Sequence, residues 1–415
     1  MRQRNPHTRT LLGTAVVLTC AAMLTSCSGD GSAGGEETYL WWDPYPQHEQ
    51  GSDWAQRVDA CGEAVGVSID RTAYDTTDLT NQALLAAQEG AAADIILLDN
   101  PAVSTLADTG MLTTMDEFGL DTSGIDENLL DAGVVDGDAY GVPIGANTLA
   151  IFYNQDVLDE AGVDPETITD WAAFTDALAQ VSETDRRGIT FAGIGTEEGS
   201  FQFLPWFWGA NADLHDLDSP EALEALELWQ GWLEEGYAPN SVLNNSQNTV
   251  WEEFLTGDFA FAVNGTWQVD SAAEADFATG VLTIPGRDGG IAPTPTGGEF
   301  ITAPVQSDPE RYEMTTQIVE CMTTPEGLVE TATTFAYYIP PTTEGQETLL
   351  EENAGLEPWV EAVRNAQGRT ADDLGTDYPL ISEALWNAVQ NALSGAMSPE
   401  EALEQAQREA EEALD

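Results

Sequence analysis

The hydrophobic pattern of the chain changes period repeatedly over its first hundred residues. Tyr39 to Trp42 is a short apolar run and predicts a strand. Gln47 to Val65 reads as a helix stopped by Gly66, and Val67 to Asp70 as a second strand. Thr77 to Gln88 places Leu79, Ala83, Leu84, Ala86 and Ala87 at helical spacing, with Gly90 as the stop. Ile95-Ile96-Leu97-Leu98 follows, between Asp94 and Asp99-Asn100-Pro101. A strand apolar on both faces suits a parallel sheet covered by helices on each side. Strand, helix, strand, helix, strand predicts a doubly wound α/β lobe.

Later helices are marked by their starts. Ser219-Pro220-Glu221 and Ser398-Pro399-Glu400-Glu401 each put Ser at the cap, Pro in the first turn and acids behind it. Ser398 and Glu401 also have the spacing of a capping box, and Thr324-Pro325-Glu326 is similar to both starts. Gly297-Gly298-Glu299-Phe300-Ile301-Thr302 reads as an extended crossing segment. The acidic stretch from Glu400 to Asp415 reads as a solvated helix whose buried side is Leu403, Ala406, Ala410 and Leu414. No internal repeat and no break in composition divides the chain into sequential domains.

The first residues read as an address. Arg2, Arg4 and Arg9 precede a short apolar stretch from Leu11 to Leu24, too short for a comfortable membrane span. Leu24-Thr25-Ser26-Cys27 resembles a bacterial lipobox, in which the Cys is acylated and becomes the first mature residue. Residues 1–26 are then a lipoprotein signal peptide, and residues 27–37 the lipidated Cys27 and a flexible tether rich in Gly, Ser and Glu. Cys20 leaves with the signal. Cys61 and Cys321 remain, in an oxidising compartment, either as a disulfide or as two separately buried thiols. A disulfide closing so long a loop would contribute roughly 3–5 kcal/mol.

Charge narrows the function. The 415 residues carry 73 Asp and Glu against 12 basic residues, all Arg, for a formal net charge of -61. Such a field repels nucleic-acid backbones and anionic headgroups. His48 and His215 are the only His outside the leader, which argues against a His-based metal site or catalytic triad. No Asp-x-Asp-x-Asp-Gly loop ending in Glu is present, so neither a metal nor another cofactor is expected. Paired carboxylates in a cleft would also suit a secreted glycosidase, but among 73 acids chance pairs are inevitable.

An ordered set of motifs carries a family resemblance. Asp136-Gly137-Asp138-Ala139-Tyr140-Gly141-Val142-Pro143, followed by Leu149-Ala150-Ile151-Phe152-Tyr153-Asn154, resembles the carbohydrate-type extracellular solute-binding proteins of ABC importers, the group that includes maltose-binding protein. Asp170-Trp171-Ala172-Ala173-Phe174, the run Gly257 to Trp267, Thr323-Thr324-Pro325-Glu326-Gly327 and Ile339-Pro340-Pro341 are similar to further family segments, in the same order. The resemblance implies a periplasmic-binding-protein-like α/β fold of two doubly wound lobes, joined by hinge crossings, with a ligand cleft between them. One lobe would hold residues 38–146 and 300–335, the other 150–298 and 340–415. Cys61 and Cys321 would both lie in the first. It implies no catalysis, a monomer, small-molecule carbohydrate as ligand, and permease subunits as partners.

A sugar presents apolar faces and a rim of hydroxyls, so its site needs aromatic surfaces and planar polar groups. Trp42 and Asp43 end the first strand, at the sheet edge where such folds bind ligands. Asp99 and Asn100 end the Ile95–Leu98 strand. By resemblance, Phe201, Trp267 and Trp386 are stacking candidates and Asn147 a polar group near the hinge, while Trp206 and Trp208 read as core. Gly297, Gly298 and Glu299 bring backbone and a carboxylate, and Tyr337 and Tyr338 precede the last crossing. An anionic ligand would need Arg, and only Arg71 or Arg287 is placed to help. A neutral mono- or oligosaccharide is therefore expected, with a polyamine or another cation as the alternative.

Overall fold

The structure is a computed structural model, and it describes residues 37–306, 308, 310–334 and 339–414. The leader, Cys27 and most of the tether therefore lie outside the described residues, as do Tyr337 and Tyr338. Eleven strands run through the described part: β1 (Thr38–Asp43), β2 (Ser68–Ala73), β3 (Ile95–Asp99), β4 (Val134–Val135), β5 (Asp138–Ala139), β6 (Val142–Pro143), β7 (Leu149–Asn154), β8 (Arg187–Thr190), β9 (Phe259–Gly265), β10 (Thr279–Leu282) and β11 (Glu299–Thr302). Two larger sheets and one small hairpin, β4–β5, contain them all.

The first sheet has the order β2-β1-β3-β11-β6. β1 pairs in parallel with both β2 and β3, while β11 runs antiparallel to β3 and to β6. The apolar run of β3 is buried on both faces. Ile95 and Leu97 join Trp41, Trp54, Val58 and Ile318 on one side. Ile96 and Leu98 join Leu79, Val103 and Phe300 on the other. The side-chain period of two sends alternate residues to opposite layers. It also separates the adjacent tryptophans of β1: Trp41 is fully buried, while Trp42 is half-buried on the other face, edge-on to Tyr74.

The first helix runs from Asp53 to Val65, later than the pattern of apolar residues suggests. Gly51 adopts a left-handed φ of 91°, which ends the preceding turn, and the Ser52 hydroxyl then accepts from the amide of Ala55. Gly66, at φ 83°, closes the helix. Cys61 of this helix is bonded to Cys321 of the helix Glu310–Met322, with Cα atoms 5.7 Å apart.

The second sheet has the order β10-β7-β9-β8. Every residue of β9 is buried. Its Phe261 and Val263 face a core with Phe174, Trp206, Trp229 and Trp232, and its Ala262 faces another with Phe152, Trp251, Phe254 and Trp359. Trp206 and Trp208 are core residues. The expected caps form: Ser219 accepts from Ala222, Thr324 from Gly327, and Ser398 and Glu401 satisfy each other's amides. Leu403, Ala406 and Ala410 are buried, but Leu414 is 43% exposed, so the buried stripe of the last helix ends a turn early.

The sheets are joined by crossings that lie side by side. Ala146 exchanges backbone hydrogen bonds with Ile339, and the next residue, Asn147, does so with Gly297. Three separate passages of the chain are thus stitched together between the two sheets.

Candidate functional site

Against these crossings lies a cavity of about 260 Å³. The first sheet supplies Asp99 from the end of β3 and Glu299 from the start of β11, which are register partners on adjacent antiparallel strands. The crossings supply Asn147, Gly297 and Gly298. Gly298 sits at φ 108°, a conformation that favours glycine, and a side chain on Gly297 would overlap the Asn147 amide. The helix Glu197–Gly209 supplies Glu197, Glu198 and Phe201 from its first turns, and Gln247 and Trp267 complete that side. Arg369 enters from the loop before the helix Tyr378–Leu393. A larger depression, of about 710 Å³ beside Asp131, Asp136 and Asp372, has no aromatic residue in its lining.

Trp267 is positioned by the backbone beneath it. A methyl group on Gly265 would overlap its ring, so the absence of a side chain there lets the indole lie against the end of β9. Asn264 is fully buried and fixes the same corner, donating to the carbonyl of Gln247 at 2.9 Å and accepting from the amide of Gly265 at 2.9 Å. Gln247 in turn donates its backbone N–H to the Glu198 carboxylate at 2.8 Å.

Arg369 is the centre of the electrostatics. Its side chain is only 5% exposed. The guanidinium donates to Glu197 at 2.7 Å, reaches Asp99 at 3.5 Å and lies 5.0 Å from the centre of the Phe201 ring. Glu197 also accepts from the hydroxyls of Tyr378 at 2.6 Å and Ser382 at 2.5 Å. Burial by itself lowers the Arg369 pKa, but the Asp99 and Glu197 carboxylates more than reverse this and hold it above its ordinary value. Burial pushes the Asp99 carboxyl up, against the pull of Arg369 and with the repulsion of Glu197 added. Burial and Glu197 together raise the Tyr378 phenol well above its usual range.

The structure brings seven of the sequence-selected residues into this lining: Asp99, Asn147, Phe201, Trp267, Gly297, Gly298 and Glu299. Trp42, Asp43, Asn100 and Trp386 are not in it, and Tyr338 lies outside the described residues. Asp43 is fully buried in an interior network. Arg71 grips it through two nitrogens at 2.5 and 2.7 Å, and the indoles of Trp41 and Trp54 donate to it at 3.0 and 3.2 Å. Arg71 is thereby committed to a structural pair rather than to a ligand. Arg287 is also elsewhere, paired with Glu224 and Asp288. Asn100, 2% exposed, donates to the carbonyl of Thr296 at 3.1 Å and ties the end of β3 to a crossing. Trp386 is half-buried, one turn beyond Ser382 on the helix that holds Glu197.

Sequence reasoning missed Glu197, Glu198, Gln247 and Arg369. Glu197 lies four residues before Phe201, so selecting Phe201 on a helix face implies Glu197 beside it. Arg369 stands in an irregular stretch with no periodic signal, marked only by the rarity of basic residues.

Comparison with known proteins now identifies the class. A family profile described as "Bacterial extracellular solute-binding protein" matches residues 56–358, more than half of the chain. The chain belongs to this family. It is 26% identical over 237 residues to the maltodextrin-binding protein MdxE of Bacillus subtilis, covering 54% of this chain and 55% of that one. The chain spans about half the length of the curated relatives it matches. Among solved structures, the cyclic alpha-maltosyl-1,6-maltose binding protein of Arthrobacter globiformis is 23% identical with a TM-score of 0.77, over 92% of this chain and 99% of that one. UgpB of Mycobacterium tuberculosis, in complex with glycerophosphocholine, also has a TM-score of 0.77 at 20% identity, over 92% and 99%. These likenesses establish the two-lobed α/β fold with its cleft; the ligands differ between the two neighbours.

Proposed function

We propose that this chain captures a carbohydrate outside the cell and delivers it to the permease of an ABC importer, performing no chemistry itself. The observation that carries the reading is the composition of the cavity. Trp267 offers an apolar ring, and carboxylates and amides from the first sheet, from the crossings and from the helices that begin at Glu197 and Gln247 line the same cavity. That is the pairing of surfaces a saccharide needs. The named relative that binds maltodextrin supports the same ligand class. In this proposal residues 38–146 with 300–335 form one lobe and 150–298 with 340–415 the other. The ligand, touching both, favours the closed arrangement. Cys27 would carry the lipid that keeps the monomeric receptor at the outer face of the membrane, its one attachment there.

The test is a thermal-unfolding titration of the purified full chain in mild detergent against mono- and oligosaccharides, with spermidine and amino acids as comparators. A ligand at a hundred times its Kd stabilises by about 2.7 kcal/mol. A saturable rise with a saccharide is expected. A rise with spermidine alone would keep a transport role and overturn the carbohydrate. No rise with any of them would overturn the reading.

A further inference from the structure

A second cavity opens further along the helix that carries Phe201. Its volume is about 270 Å³, close to the 260 Å³ of the cavity at Trp267. Trp208, Asn211 and Asp213 line it from the end of the helix Glu197–Gly209 and the turn that follows, and Pro293, Gln367 and Leu374 close it from other passages of the chain. Phe201 of the first cavity and Trp208 of the second stand seven residues apart, which is two turns on one helix face and roughly 10 Å. Gln367 lies two residues before Arg369 in the same way. The two cavities therefore share walls without sharing a lining residue.

The second lining leaves polar groups open around an indole. Trp208 is 5% exposed. Its indole N–H donates to none of the described residues, yet it is not shut away from water as those of Trp206 and Trp229 are. Asn211 holds a left-handed φ of 70°, which turns the chain after the helix, and its amide side chain has no partner among the described residues. Gln367 donates from Nε2 to Asp372 at 3.0 Å, which leaves its Oε1 to accept. Asp213 accepts from the backbone N–H of His215 at 2.9 Å and is 70% exposed, so water offsets its charge. The described lining holds no basic side chain, and a phosphate or carboxylate would find no cation in it. An indole donor, an amide and an amide oxygen beside Pro293 and Leu374 suit an uncharged ligand with several hydroxyls on an apolar frame.

Taking the ligand class from the carbohydrate reading above, we infer that this cavity is a second saccharide site, with sugar hydroxyls bonded to the Trp208 indole, the Asn211 amide and Gln367 Oε1. The test follows the indole N–H signals of the isotope-labelled full chain by heteronuclear NMR, in mild detergent, during titration with glucose, galactose, maltose and lactose. Replacing Trp208 or Trp267 by Phe assigns each signal. At least one of the sugars is expected to shift the Trp208 signal saturably, with a Kd in the millimolar range, and to do so in Trp267→Ala as well. The double variant Asn211→Gly with Gln367→Leu keeps the left-handed turn and removes both amides. It should weaken the Trp208 response about tenfold or more and leave the Trp267 response unchanged. A response at Trp267 with none at Trp208 would overturn the second site and leave carbohydrate capture standing. So would a Trp208 response that disappears in Trp267→Ala, or one that the double variant does not weaken. A response at Trp208 alone would support the second site and overturn capture at the first. No response at either with any of the sugars would overturn both.

Discussion

Replacing Arg71 by Met would show whether Asp43 belongs to the architecture or to the ligand. Asp43 is fully buried and Arg71 nearly so, with 11% of its side chain exposed. The substitution keeps an apolar stem of similar length and removes two charge-assisted bonds to Asp43. It also removes the bonds from Arg71 to the carbonyls of His48 at 2.6 Å and Tyr45 at 2.9 Å. Removing one partner of a buried pair costs about 3–5 kcal/mol, because the other charge stays behind. Asp43 keeps the donors of Trp41, Trp54 and the Tyr45 amide, which places the expected loss near the lower end, at about 3 kcal/mol. Urea unfolding followed by tryptophan fluorescence measures it, since Trp41 and Trp54 touch the network. The double variant Asp43→Asn with Arg71→Met should recover part of the loss, because no orphan carboxylate remains. A loss below about 1 kcal/mol would refute the assignment. So would a variant of normal stability whose saccharide affinity has collapsed.

Further expectations concern the cleft and the disulfide. Trp267→Ala should weaken saccharide binding by about 1 kcal/mol, roughly fivefold, in a calorimetric titration. Gly265→Ala should also weaken it, by displacing the same ring without touching its chemistry. Replacing Cys61 and Cys321 by Ser should lower stability by roughly 3–5 kcal/mol against the oxidised protein, and by little against the reduced one. Asp99 is held above its ordinary carboxyl value by burial, so folding favours its protonated form. The stability this lends is present at low pH and is lost as pH rises through the raised value. Asp99→Asn, which cannot ionise, should therefore melt higher than the parent at about pH 7 and equally at about pH 3.

Local rules reached the scaffold and stopped short of the polar partners. The continuous apolar run of β3 announced a strand covered on both faces, and the cores on either side of Ile95–Leu98 match it. Ser219, Thr324 and Ser398 marked helix starts because a cap is a contact within three residues. Asp43 is the opposite case. Its position at a strand end suggested the cleft, but its burial is decided by Arg71 on β2 and Trp54 on a helix, which no local pattern couples to it. Arg369 meets Glu197 across 172 positions, and only the assembled fold brings them together. Phe201 and Trp267 were legible because motif order fixes which strand and helix ends carry them.

The position of β11 has a consequence for how the chain comes to be folded at all. It lies between β3 and β6 in the first sheet, yet it is made of residues 299–302, after the whole of the second sheet. A ribosome adding about 5–20 residues each second needs roughly ten to forty seconds to pass from the end of β3 to β11. Through that interval one flank of β3 has no neighbour, and Cys61 waits for a partner 260 positions downstream. Whatever escorts the nascent chain must keep that flank from pairing with another molecule. The sheet begun first is thus finished late, and the newborn polypeptide gains from remaining open until nearly three quarters of it has been made.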